Sequence, residues 1–240
     1  MKILALESSA VACSACLCED DFLVAQSYEN SGLTHSVTLL PMAEELLKRV
    51  GVPLKDVDVI AVAAGPGSFT GLRIGVSAAK GLAWALEKPC AGVSTLEAMA
   101  WNLAFLPGQL CPVMDARRAQ VYNALFSSDG RTVTRLTPDR AISLQELGED
   151  LKNVDAEQIL VGDGAELCYN TLGRQGLSLR LTPPNLRYQN AWGVARAGWE
   201  LAKAGKLVSA QELLPVYHRL SQAERERQEK EKHLKGDSSK

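Results

Sequence analysis

The chain has 240 residues, 46% hydrophobic and 22% charged, which is enough apolar content for one large domain or two small lobes and too much for a disordered polymer. Its formal net charge of −2 excludes the broad basic footprint of a protein that grips nucleic acid over its whole surface, so any such contact must be local or made by a partner. The start carries only four apolar residues, Ile3 to Leu6, before Glu7, short of the roughly 7–15 of a signal peptide, and no window approaches the ~20 of a membrane span; a cytoplasmic protein is expected.

In chain order, residues 2–6, 12–18 and 22–28 read as three strands, the last two joined by the acidic turn Glu19-Asp20-Asp21. The cysteines Cys13, Cys16 and Cys18 fall on the second strand. Period-2 alternation turns Cys16 and Cys18 to one face and Cys13 to the other, so they do not converge on a metal, and with Cys90, Cys111 and Cys168 they read as buried structural thiols. A helix is predicted over 36–50, capped by Ser36 or Thr38, with His35 in the capping loop and Pro41 in the first turn or at a kink. An apolar strand at 58–63 then runs into Gly65-Pro66-Gly67, and helices follow at 72–87 and 94–103.

At Pro107-Gly108 the pattern restarts. Residues 111–114 form an apolar strand closed by Asp115, as 2–6 is closed by Glu7. Leu125 lies ten residues past Asp115, as Leu17 does past Glu7, and Ser127-Ser128-Asp129-Gly130 matches the acidic turn, all at an offset of about 108. A β-rich run at 132–136, a short helix at 143–151, a strand at 158–161 ending in Gly162-Asp163-Gly164, and helices at 165–172 and 191–204 complete the second half, with Pro183-Pro184 in a loop. The expected organisation is a first lobe over 1–106, completed by 205–225, a second lobe over 107–204, and a charged, disordered tail over 226–240.

Four motifs stand out: Gly65-Pro66-Gly67-Ser68-Phe69-Thr70-Gly71-Leu72-Arg73-Ile74-Gly75, Gly92-Val93-Ser94-Thr95-Leu96, Asp115-Ala116-Arg117-Arg118, and Tyr217-His218-Arg219-Leu220-Ser221-Gln222-Ala223-Glu224-Arg225. In this order they resemble the TsaB (YeaZ) family of tRNA threonylcarbamoyladenosine biosynthesis, and the duplication resembles the wider actin, sugar-kinase and heat-shock-ATPase (ASKHA) superfamily. The resemblance implies an α/β fold of two RNase H-like lobes. It also implies a non-catalytic scaffold that binds and activates TsaD, with TsaE, in threonylcarbamoyl transfer to tRNA. Self-pairing in isolation, tRNA contact through the complex, ATP used by the complex and no cofactor of its own belong to the same expectation.

The residues carry their own reading beside it. Gly65–Gly75 joins a strand to a helix and lacks the Lys and hydroxyl of a phosphate loop, so it is either an anion site at a helix N-terminus or a close-packing turn. Gly67, Ser68, Arg117 and Arg118 are the candidates for contact with an anion or nucleotide, which in the complex could sit at a partner interface. Glu7 and Asp115 could hold a magnesium ion, but no third carboxylate is evident in the sequence. The hairpin turns Glu7-Ser8-Ser9-Ala10 and Asp115-Ala116-Arg117-Arg118 lack the glycines that let nucleotide-hydrolysing relatives bring backbone to phosphate.

TsaD, by resemblance, carries two metal-binding His at i and i+4 where this chain has Thr95 and Met99. The rival reading is an autonomous enzyme on the same fold, a metallopeptidase or a small-molecule kinase. In the first helix Leu39, Met42 and Leu46 form a second apolar stripe beside Val37, Leu40, Ala43, Leu47 and Val50. In the second helix Gly71, Gly75, Ala79 and Ala83 form a line of small residues. Burial within the chain explains both features, and so does a partner helix. The resemblance implies pairing through these two helices, which makes Leu39, Met42, Leu46, Gly71, Gly75, Ala79 and Ala83 the expected interface.

Overall fold

A computed structural model of the chain describes residues 1–219, so the expected tail over 226–240 and the last motif beyond Arg219 lie outside the described residues. The first half is β1 (Lys2–Glu7), β2 (Cys13–Glu19), β3 (Phe22–Glu29), α1 (His35–Val50), β4 (Val59–Gly65), α2 (Phe69–Leu86), β5 (Cys90–Ser94) and α3 (Thr95–Asn102). The second half repeats it. There β6 (Gly108–Asp115) corresponds to β1, β7 (Gln120–Asn123) and β8 (Phe126–Ser128) to β2, and β9 (Val133–Arg135) and β10 (Arg140–Ser143) to β3. Then come α4 (Leu144–Lys152), β11 (Gln158–Val161), α5 (Ala165–Leu172), β12 (Leu179–Leu181), the four-residue α6 (Pro184–Arg187) and α7 (Ala191–Lys203).

Strand order is β3-β2-β1-β4-β5 in the first sheet and β10-β7-β6-β11-β12 in the second, with β8 also on β6 and β9 on β8. The hairpins are antiparallel and the crossovers parallel in both, so the duplication is present at the level of topology. One equivalence shifts. Glu7 pairs with Ser14 but Asp115 with Val121, so the second hairpin loop (116–120) is one residue shorter than the first (8–13). Ala124, not Leu125, therefore takes the place of Leu17. β7 and β8 lie on β6 in one register, and the strand is interrupted at Ala124-Leu125, where the Leu125 carbonyl accepts from Leu136 N–H at 2.8 Å.

Period-2 alternation gives each strand two faces, and both faces of the sheets are covered. On one face of the first sheet Leu4, Leu6, Cys13, Leu17, Ile60 and Val62 meet Leu39, Leu46, Val76 and Ala79 of α1 and α2. On the other, Ile3, Ala5, Cys16, Cys18 and Ala61 meet α7 and Trp101 of α3. In the second sheet Leu110, Met114, Ile159 and Val161 face Leu96, Met99 and Leu103 of α3, while Cys111, Val113 and Leu160 face α4 and α5. All six cysteines are free and buried, Cys13 on the face opposite Cys16 and Cys18.

The layers are thus α1/α2, first sheet, α3/α7, second sheet, α4/α5. Each half lends its last helix to the other half's sheet: α3 packs on the second, α7 on the first. The boundary drawn at residue 204 placed α7 with the second lobe. Its apolar stripe says that one face is buried but not against which sheet. The two helices cross so closely that a Cβ on Gly193 would stand 1.9 Å from the Ala98 carbonyl oxygen. Beside the crossing, the Arg196 guanidinium lies 5.2, 5.8 and 4.9 Å from the ring centroids of Trp101, Trp192 and Trp199.

Local details differ from the sequence reading where short-range signals compete. α1 is capped at Thr34 without a side-chain hydrogen bond, and Pro41 lies inside the helix. His35 Nε2–H instead donates to Ala10 O at 2.7 Å, tying the helix start to the first hairpin loop. Pro184 opens α6 rather than lying in a loop, since its fixed φ suits a first helical turn. Among the described residues no helix is long and apolar enough to cross a membrane.

Gly193→Ala is expected to lower stability by at least ~1–3 kcal/mol, since a methyl group has no room at the α3/α7 crossing. The midpoint of urea unfolding measures this. An exposed glycine with open space around it, Gly81, serves as the control, and Gly81→Ala is expected to be neutral or stabilising.

Candidate functional site

The two hairpin loops meet across a cleft of about 430 Å³ between the lobes, lined by Ser9, Gly67, Ser68, Asp115, Arg117 and Asp163 and walled on one side by Val216 to Arg219. Of the four residues expected to contact an anion, Gly67, Ser68 and Arg117 line this cleft. Arg118, the next residue along the exposed loop, does not.

The segment Gly65–Gly75 is built first of all for close packing. Added Cβ atoms would meet Ser9 O at 2.4 Å from Gly67, Ser8 O at 2.1 Å from Gly71 and Ser8 Oγ at 2.5 Å from Gly75. The first turn of α2 is pressed onto the first hairpin loop, and its donors are spent there: Ser68 N–H donates to Ser9 O at 2.7 Å, and Gly71 N–H donates to Ser68 Oγ at 3.3 Å. Two donors at the start of α2 are therefore taken within the chain. The same glycines account for the small-residue line of α2. Gly71, Gly75, Ala79 and Ala83 are buried against the chain's own sheet and hairpin, and Leu39 and Leu46 of α1 join them in the core, with only Met42 half-buried at the edge. The expected interface set is therefore mostly core. The faces of α1 and α2 open to solvent are other ones, carrying Val37, Leu40, Ser77, Gly81 and Trp84.

The floor of the cleft rests on a buried acid behind Ser9. Glu7 is fully buried; its Oε1 accepts from Ser9 N–H at 2.6 Å, while Oε2 and the buried Ser9 Oγ have no hydrogen-bond partner among the described residues. Burial pushes the Glu7 carboxyl up to about 7 against the hydrogen bond from Ser9 N–H, and the charge of Asp163 adds to the rise. Asp163 is itself raised by burial, with the Gln189 hydrogen bond at 2.9 Å opposing and Asp115 adding repulsion. Asp163 is the third acid of the cleft and was not singled out from the sequence. Its signal was the Gly162-Asp163-Gly164 break after β11, where Gly162 at φ 113° abuts Val113 O and brings the loop against β6. Even so, no group of three His, Cys, Asp or Glu that could hold a metal ion occurs among the described residues.

Opposite this floor the second hairpin loop is strained. Arg117, Arg118 and Ala119 have φ of 64°, 56° and 54°, three consecutive left-handed residues without a glycine. Asp115 Oδ1 accepts from Arg117 N–H at 2.7 Å and steadies the turn. At the two positions where the resemblance implies a His pair in TsaD, Thr95 and Met99 are both fully buried, and Met99 packs in the core between α3 and the second sheet.

A family profile described as "TsaD: tRNA N6-adenosine threonylcarbamoyltransferase" matches residues 29–170. The chain is 34% identical to the tRNA threonylcarbamoyladenosine biosynthesis protein TsaB of Bacillus subtilis, over 93% of this chain and 96% of that one. It is 32% identical to the protein of that name from Escherichia coli, over 91% and 95%. Among solved structures it is similar to YeaZ from Pseudomonas aeruginosa, with TM-score 0.73 and 28% identity over 90% of this chain and 99% of that one. A ROK hexokinase from Thermus thermophilus, at TM-score 0.51 and 14% identity over 84% and 100%, shares the fold alone.

The buried Glu7 makes stability depend on pH with a defined sign. Its folded pKa is raised from 4.5 to about 7, so the folded state holds a proton that the unfolded chain gives up earlier. The contribution is fully present below about pH 4.5 and is lost as pH rises through about 7, an effect of about 3 kcal/mol. Chemical-denaturation curves of Glu7→Gln are expected to lose this fall between pH 5 and 8. A wild-type-like slope in the variant would place the titration elsewhere.

Proposed function

The chain belongs to the TsaB (YeaZ) family, and from that premise we propose that it is the scaffold subunit of the machinery that makes threonylcarbamoyladenosine in tRNA, binding and activating TsaD without performing chemistry itself. Two partners are implied, TsaD and TsaE, with self-association when TsaD is absent. ATP is used by the complex, and tRNA is met through the complex.

The observation that carries this reading is the state of α3. The chain matches a TsaD profile through this helix, yet the two positions where the resemblance implies metal-binding His in TsaD are Thr95 and Met99, each 0% exposed. A catalytic metal needs neutral imidazole or carboxylate ligands and an open coordination position, and a thioether packed in a core supplies neither. The hairpin loops support the same reading. Ser8-Ser9-Ala10 is pressed under α2, and the Arg117–Ala119 turn is left-handed without glycine, so neither offers a relaxed backbone cradle to a phosphate chain.

The partner surface is carried by α1 and α2, but through the residues that stay in solvent. Leu40, 45% exposed, stands over a groove shared with Leu47, Val52, Leu54 and the half-buried Leu82 of α2, rimmed by Glu44 and Lys48. An apolar groove with a charged rim suits a helix pair from a related fold, since apolar burial supplies the affinity and the rim supplies the register. Met42, half-buried, lines a separate hollow with Val37 and Pro41 and not this groove.

Two variants separate surface from core. Leu40→Glu is expected to weaken binding to TsaD by roughly ten-fold or more, at ~1.4 kcal/mol per decade, with an unchanged melting temperature. Ala79→Leu is expected to do the opposite, overpacking the core at a cost of ~1–3 kcal/mol in stability while the folded fraction binds normally. Titration calorimetry and thermal melting on both proteins check this. Normal binding by Leu40→Glu would remove the groove from the interface.

A further inference from the structure

The last described segment, residues 213–219, leaves the body of the fold without secondary structure yet touches both lobes. On the first lobe Lys80 Nζ donates to Gln211 O at 3.1 Å and to Leu213 O at 3.0 Å, and Val216 N–H donates to Ala64 O at 2.7 Å. The Val216 carbonyl lies so close over Gly65 that a Cβ there would meet it at 2.2 Å. Next, the Tyr217 ring packs on Phe69 with centroids 4.7 Å apart, and its hydroxyl accepts from Arg73 Nε–H at 3.1 Å. Two residues later the chain has crossed to the second lobe, where Arg219 donates to Ala116 O and, at 3.5 Å, to Arg117 O.

Those two carbonyls belong to the hairpin loop in which Arg117, Arg118 and Ala119 are left-handed. A run of non-glycine residues in that region persists only where the surroundings over-determine it. Within the hairpin Arg117 N–H donates to Asp115 Oδ1, Gln120 N–H to Arg117 O and Ala116 N–H to Gln120 O, and at the far end of the turn Leu144 N–H of α4 donates to Ala119 O at 3.2 Å. The guanidinium of Arg219 comes from outside the hairpin and takes the carbonyls that the turn directs toward the cleft. One nitrogen, Arg219 Nη1, faces both carbonyls, with Ala116 O the nearer.

We propose that residues 213–219 are an interlobe latch: anchored on the first lobe at Lys80, Ala64 and the Phe69–Tyr217 pair, they hold the second hairpin loop in its left-handed turn through Arg219 and so set the spacing of the two lobes across the cleft. Releasing the anchor frees the loop. The loop then relaxes toward ordinary backbone angles, and the cleft loses the wall formed by Val216 to Arg219. The link is mechanical, because Tyr217 acts on the loop only through the chain that joins it to Arg219.

Trypsin reads the latch directly, since Arg117 and Arg118 lie exposed in the loop and Arg131, exposed in the turn between β8 and β9, serves as an internal reference. In the full-length chain, Arg219→Ala and Tyr217→Ala are each expected to speed cleavage after Arg117 and Arg118 by roughly ten-fold or more, because cleavage tracks the open population, while cleavage after Arg131 keeps its wild-type rate. Amide exchange over 116–120 is expected to rise in parallel. Wild-type cleavage of the loop in Tyr217→Ala would overturn the proposal even if Arg219→Ala behaves as expected, since it would leave Arg219 a local contact with no latch behind it. A rise at Arg131 equal to that at the loop, in either variant, would likewise overturn it by placing the effect in global unfolding.

Discussion

The crossing of α3 and α7 is the constraint on which the rest of the molecule depends. Each half of the duplicated chain ends in a helix that packs on the other half's sheet, and the two helices meet where Gly193 lies against the Ala98 carbonyl. Because backbone touches backbone there, the distance between the sheets is fixed without adjustable side chains. The spacing of the sheets in turn sets how far apart β1 and β6 stand, and the hairpin loops at their ends meet across the cleft that residues 216–219 wall. The Trp101, Trp192, Trp199 and Arg196 cluster on the same seam surrounds the crossing with rigid aromatic surface.

What stands in the cleft follows from how tightly the parts are pressed. Gly67, Gly71 and Gly75 let α2 come down on Ser8 and Ser9, which consumes helix N-terminal donors that an anion would otherwise find and seals Glu7 from water. A sealed carboxyl at the end of β1, a second raised acid in Asp163 and a left-handed loop opposite them make a polar seam held by burial rather than a surface shaped around phosphate. The fold is one shared with sugar kinases and ATPases, with α2 packed directly on the first hairpin loop. That condition agrees with a subunit whose contribution is a stable surface offered to a partner.

Much of the fold was legible in the sequence because period and punctuation agree. The three-strand start, the break at Pro107-Gly108 and the second acidic turn at Ser127 to Gly130 expose the duplication, and β11 and α5 fall on the predicted bounds. The short strands β5, β10 and β12 were not read. Cys-Ala-Gly-Val-Ser offers one β-branched residue in five, and its strand identity comes from pairing with β4 rather than from propensity. The home of α7 was not legible for a related reason, since an amphipathic pattern fixes a face and leaves the partner open. At the site, Gly67, Ser68 and Arg117 were found from motif position alone. Asp163 was missed because a single acid between two glycines reads as a turn until the fold brings it beside Asp115. The small-residue line of α2 was ambiguous from the start: close approach of backbones was correct, and the backbone approached is the chain's own hairpin.

The central claim is that this chain supplies binding and activation, and that the chemistry belongs to TsaD. Its most direct test is a reconstitution in which transfer of threonylcarbamoyl to tRNA is measured for this chain alone, for TsaD with TsaE, and for all three together with ATP. The account predicts no product from this chain alone and a large rise when it joins TsaD and TsaE. Product formed by this chain without TsaD, or full activity of TsaD and TsaE in its absence, would contradict it.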